Sequence, residues 1–112
     1  MTPLFSPCSS RCGHPAIKAA RQCRAAMDLA NAGKAGEAET LLKAAMGGLR
    51  RAGMPMMKAK ILNSLGIVYA QQNRPIQARR CLSSSLRIVA GHVGTDNWLY
   101  ARIAANRDSL AA

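Results

Sequence analysis

A chain of 112 residues with 49% hydrophobic content is long enough for one domain and one core. Its sixteen Lys and Arg against five Asp and Glu give a net charge of +11, which implies attraction to polyanions or to acidic protein surfaces. No stretch approaches about eighteen consecutive apolar residues, so a transmembrane helix is excluded. Four aromatic residues leave the interior to Ala, Leu, Ile, Val and Met, a composition that suits packed helices better than a sheet sandwich.

Residues 1–14 hold Pro3, Pro7, Cys8, Cys12 and Gly13 without any helical period and read as a flexible tail ahead of a helical domain spanning 15–112. Two prolines and the lack of a basic start make it a poor secretory signal. The location expected is cytoplasmic, with an acid-free organelle transit segment as the alternative.

Pro15 suits the first turn of a helix over about 16–32, with Ile17, Ala20, Cys23, Met27 and Ala30 on one stripe and Gly33 at its end. A second helix is predicted over 35–52, burying Ala38, Leu41, Leu42, Ala45, Met46 and Leu49, although Gly47 and Gly48 each weaken it by about 1 kcal/mol relative to alanine. Pro55 opens a third helix that carries Ala59, Leu62, Leu65, Gly66 and Tyr69 to about residue 72. Asn73-Arg74-Pro75 then turns the chain into a fourth helix, expected to end at Ala90 before a Gly91–Gly94 loop. Thr95 or Asp96 is the expected cap of a fifth helix, in which Trp98 packs inward and Arg102, Asn106, Arg107 and Asp108 face water.

The best-formed stretch, Leu62 to Leu86, has an echo forty positions upstream. That offset pairs Leu29 with Tyr69, Ala30 with Ala70, Gly33 with Asn73, Lys34 with Arg74, Ala38 with Ala78 and Leu42 with Leu82. A match of small, turn and large residues at one spacing argues for an internal repeat.

Leu62, Leu65-Gly66, Tyr69, Ala78 and Leu82 resemble the tetratricopeptide repeat, and Leu29, Ala38 and Leu42 form a weaker copy. The forty-residue spacing is similar to the long-helix variants found in kinesin light chains, where a Leu-Asn-Asn-Leu-Gly run is close to Leu62-Asn63-Ser64-Leu65-Gly66. The resemblance implies an all-α fold, a short right-handed α-solenoid of about five antiparallel helices. Two helix-turn-helix repeats would be followed by a C-terminal capping helix in which Ala101 corresponds to Ala59.

Such a fold implies a non-catalytic adaptor or scaffold that holds a peptide or helix of a partner protein, acidic by charge complementarity, in a concave groove lined by the first, third and fifth helices. The groove positions are Lys60, Asn63, Ile67 and Gln71 on the third helix, Ala20, Cys23, Met27 and Asn31 on the first, and Arg102 and Asn106 on the fifth. The resemblance implies Asn63 and Asn106 for a peptide backbone and Lys60 and Arg102 for acidic groups.

Two other uses are open. Met54, Met56, Met57 and Ile67 suit a homo-oligomer contact. The basic clusters Lys18/Arg21/Arg24, Arg50/Arg51/Lys58/Lys60 and Arg74/Arg79/Arg80/Arg87 suit non-specific binding of nucleic acid, without aromatic interleaving for base stacking.

No cofactor and no enzymatic site are expected. There is no phosphate loop, the serines Ser83 to Ser85 lie within a helix, and no carboxylate is near a histidine except Asp96 by His92. Cys8, Cys12, His14 and Cys23 form a chemically complete zinc set, but their spacing is unfamiliar; the plainer reading is spare thiols in a tail with Cys23 and Cys81 as small core residues.

Overall fold

The computed structural model describes residues 14–110; the expected tail, with Cys8 and Cys12, lies outside them apart from His14. The fold is all-α. Its five helices are α1 (Pro15–Asn31), α2 (Ala35–Gly48), α3 (Pro55–Gln71), α4 (Pro75–Val93) and α5 (Trp98–Ser109). No helix among the described residues is long and apolar enough to cross a membrane.

Two turns set the architecture, and they are built alike. After α1, the Gly33 N–H donates to Ala30 O and the Lys34 N–H to Leu29 O; after α3, the Asn73 N–H donates to Ala70 O and the Arg74 N–H to Tyr69 O. This paired closure requires a left-handed residue just past the helix, supplied by Gly33 at φ 83° and by Asn73 at φ 59°. Asparagine tolerates that conformation better than most residues, which is why it can stand where the first turn has glycine. Each turn reverses the chain within three residues, so α1 lies against α2 and α3 against α4.

Burial repeats at the same forty-residue offset. Ala19, Ala26, Ala38, Leu42, Ala45 and Leu49 are buried in the first hairpin, and Ala59, Gly66, Ala78, Leu82, Ser85 and Val89 in the second. The α3–α4 crossing is the tighter by design of its sequence: a Cβ built on Gly66 would lie 2.6 Å from Leu82 Cγ and 3.3 Å from the Ala78 carbonyl oxygen. Ser85, the one buried polar side chain of the described core, donates its hydroxyl to Ala59 O at 2.6 Å and so ties the same two helices.

The interior is two adjoining clusters rather than the single core expected. One joins α1, α2 and α3 through Ala26, Leu42, Ile61, Val68 and Tyr69; the other joins α3, α4 and α5 through Ala59, Leu82, Leu86, Val89 and Ile103. Leu110 packs against both.

Several boundaries differ from the sequence expectation. α2 stops at Gly48, and the next residues form single turns in which Leu49, Arg50 and Ala52 donate three residues back. The adjacent glycines supply too little helix propensity to carry the helix through to Ala52. α4 runs past Gly91 to Val93, because Gly91 accepts helical geometry and the chain first turns at Gly94. α5 is capped by Asn97 instead of Thr95 or Asp96: its Oδ1 accepts from the Tyr100 N–H at 2.8 Å while its Nδ2 donates to Gly94 O.

Trp98, expected inside, is 70% exposed. Position 98 lies on the side of α5 away from α4, and the side facing α4 buries Ile103 instead. Ala101 is likewise exposed although Ala59 is fully buried, since α4 covers the corresponding face of α3 and no described helix covers that face of α5.

Candidate functional site

The face of α3 that its neighbours cover least begins at Lys60 and continues at Asn63, Ile67 and Gln71, one helical stripe. α5 passes beside it. Asn106 Nδ2 donates to Asn63 Oδ1 at 3.0 Å, tying the last turn of α5 to the middle of α3. Asn106 is half-buried by this contact, and Arg107 is half-buried too, although both are expected to face water.

Beside this amide pair lies a pocket of about 320 Å³. Ile67, Ala70, Leu82 and Leu110 give it apolar walls, and Gln71, Asn106 and Ser109 place polar groups on its edge. The absence of a side chain on Gly66 lets Leu82 of α4 reach the floor. An apolar recess edged by amides and a hydroxyl suits a side chain of an extended or helical peptide whose backbone needs donors and acceptors alongside.

Of the ten positions predicted for a groove, the structure brings Ile67, Gln71 and Asn106 into one pocket with Asn63 at its rim. Lys60 and Arg102 each stand one turn before Asn63 and Asn106, exposed and without an ion-pair partner among the described residues. Met27 and Asn31 lie on α1, half-buried and exposed respectively, and do not reach this pocket. Ser109 and Leu110 were missed. Their signal was available as the i+3 and i+4 neighbours of Asn106.

Cys23, on the same side of α1, is half-buried against the first cluster; burial pushes its thiol up and the Lys60 charge opposes that. Cys81 behaves alike, raised by burial and opposed by Lys43. Low thiolate content makes both poor nucleophiles.

His14 is not a tail residue. It caps α1, its Nδ1 accepting from the Ala16 N–H at 3.1 Å. Nine residues of continuous helix separate it from Cys23, about 13 Å of rise and half a rotation, so these two members of the zinc set are not brought together. Among the described residues no cluster of three or more metal-ligating side chains occurs.

The methionines proposed as an exposed contact are partly buried instead: Met54 and Met57 pack on the first cluster and Met56 on the second. One charged group is embedded between the hairpins. Glu39 of α2 pairs with Lys43 Nζ at 2.7 Å and with Arg74 Nη1 at 3.2 Å, and the Arg74 guanidinium lies 4.7 Å from the centre of the Tyr69 ring. Hydrogen bonding from Lys43 first, then from Gln72, with the Lys43 and Arg74 charges, holds the Glu39 carboxyl below its ordinary range against desolvation.

No family model, no curated protein and no solved structure matches the chain.

Proposed function

We propose that this chain is a non-catalytic protein-interaction module, a short right-handed α-solenoid of tetratricopeptide type that works in the cytoplasm. It would bind a peptide or helix of an acidic partner across α3 and α5. The observation that carries the proposal is the recess between Ile67 and Leu110, with the Asn63–Asn106 amide pair above it and, beyond, Lys60 and Arg102, which have no ion-pair partner among the described residues.

The forty-residue recurrence of turn bonding and burial supports the repeat reading. In the bound state an apolar partner side chain enters between Ile67 and Leu110. Gln71 and Ser109 take up backbone groups, and Lys60 and Arg102 attract carboxylates, speeding encounter more than deepening affinity. Asn63 and Asn106 satisfy each other in the free protein, so each retains a hydrogen-bonding site for a ligand without being left orphaned.

Affinity capture from source-cell lysate tests this reading. Proteins held by the wild-type chain are expected to be lost when Lys60→Ala is combined with Asn63→Ala, and separately with Gln71→Ala. An unchanged captured set, or none with wild type, sinks the proposed groove.

A further inference from the structure

The outer face of α4 has a composition that the fold does not call for. Ile76, Arg79, Arg80, Ser83, Ser84 and Arg87 recur at three- and four-residue steps, forming one stripe opposite the buried Ala78, Leu82, Ser85 and Val89. They line a shallow groove of about 400 Å³. The three arginines are exposed, and none has a carboxylate partner among the described residues. Arg87 Nη2 donates to Ser84 Oγ at 3.2 Å, which lays that guanidinium along the helix and over the groove. The chain carries no acidic residue between Glu39 and Asp96, so nothing on α4 offsets the charge.

The first hairpin provides an internal comparison. At the forty-residue offset, Arg79, Arg80 and Arg87 correspond to Glu39, Thr40 and Gly47 of α2. The same position in the fold is thus occupied by an acid, a neutral residue and a glycine, so the hairpin needs no arginine there. Solvation alone does not explain the choice either, since Thr40 and Gly47 are exposed as Arg80 and Arg87 are, with a different chemistry, while Glu39 is half-buried by its pairing with Arg74.

We infer that the outer face of α4 is a contact surface for the phosphate backbone of a nucleic-acid duplex. The arginines are strung over about 12 Å, eight residues of helix, rather than converged on one point. That spread exceeds a single phosphoryl group and covers a length of duplex axis on which several phosphates fall, one per about 1.7 Å with both strands counted. Ser83 and Ser84 supply hydroxyl donors between the guanidinium groups, and small side chains there leave the approach open. The face bears no aromatic residue, so bases are not stacked and sequence is not read. Ile76 is its one large apolar group, too little for insertion into a lipid surface.

The surface lies on the opposite side of α4 from Leu82, the one α4 residue lining the pocket, and shares no residue with it, so the two readings fail independently. The test is fluorescence anisotropy with a labelled RNA duplex and the DNA duplex of the same sequence, titrated at several salt concentrations. Wild type is compared with Arg79→Gln/Arg80→Gln/Arg87→Gln and with Arg50→Gln/Arg51→Gln/Lys58→Gln, which removes the same charge elsewhere. The α4 triple variant is expected to lose about tenfold or more in affinity and to flatten the log–log salt slope by about two to three, whereas the control loses less than about threefold. Circular dichroism verifies the fold, and the single variant Arg87→Glu gives the same comparison if the triple is unfolded. Equal losses in both variants, no duplex binding at low salt, or tighter binding to anionic phospholipid vesicles than to duplex overturns the inference.

Discussion

Gly66 shows how one missing side chain sets a helix crossing. Leu82 is 1% exposed, and a Cβ on Gly66 would lie 2.6 Å from its Cγ and 3.3 Å from the Ala78 carbonyl oxygen, so a side chain and a backbone must both shift to admit it. Gly66→Ala is therefore expected to destabilise the fold by about 1–3 kcal/mol, despite the better helix propensity of alanine, because overpacking outweighs the propensity gain. Chemical denaturation measures this. Combining Gly66→Ala with Leu82→Ala should cost less than the sum of the single changes, since the cavity left by one accepts the methyl of the other. Additive losses would show that the two residues do not compete for the same space. Ser85, one turn further along α4, follows the same logic of close approach: its hydroxyl reaches the Ala59 carbonyl only because small residues line the crossing.

At the scale of elements, α2 is the helix whose sequence works against it. Gly47 and Gly48 stand in its last turn, and a Cβ at either position meets no atom within 4 Å. Neither has a positive φ. Both glycines weaken the helix without any packing requirement, so Gly47→Ala/Gly48→Ala is expected to stabilise by about 1 kcal/mol or somewhat more and to raise the melting temperature by several degrees. Thermal unfolding followed by circular dichroism checks it, and a lower melting temperature would mean that the turn through Leu49 depends on them. The three helices that begin at Pro15, Pro55 and Pro75 were legible in the chain, because proline and the preceding turn residue act locally. The start of α5 was not: Thr95, Asp96 and Asn97 are all competent caps, and the choice fell on the residue whose second bond, to Gly94 O, fixes the loop.

Across the whole molecule, Glu39 couples the first hairpin to the second, bonding within α2 to Lys43 and across 35 positions to Arg74. Its carboxyl is held below the ordinary range in the folded state. The stability it contributes is thus fully present above the pKa of the unfolded chain and is lost as pH falls through the lower folded value. Glu39→Gln is expected to cost roughly 0.5–1 kcal/mol at neutral pH and progressively less on acidification, until variant and wild type converge. Urea midpoints across the acid range measure this. A difference that stays constant with pH would assign the loss to packing rather than charge.

Local signals carried most of what the chain alone determined: five helices, two equivalent turns, a forty-residue echo and a core of small and aliphatic side chains. Helical periodicity and turn chemistry act over a few residues, so they can be read without the fold. The stripe Lys60, Asn63, Ile67 and Gln71 was legible for the same reason. Which side chains meet across helices was decided only in three dimensions. Asn63 found Asn106 at 43 positions' distance, Arg74 found Glu39 and Tyr69, and the pocket closed on Ser109 and Leu110. Trp98 was left outside because burial depends on what covers a face, and the described helices end with α5 uncovered on that side. Periodicity places a residue on a face of its own helix; the neighbour on that face is chosen by how the other helices pack.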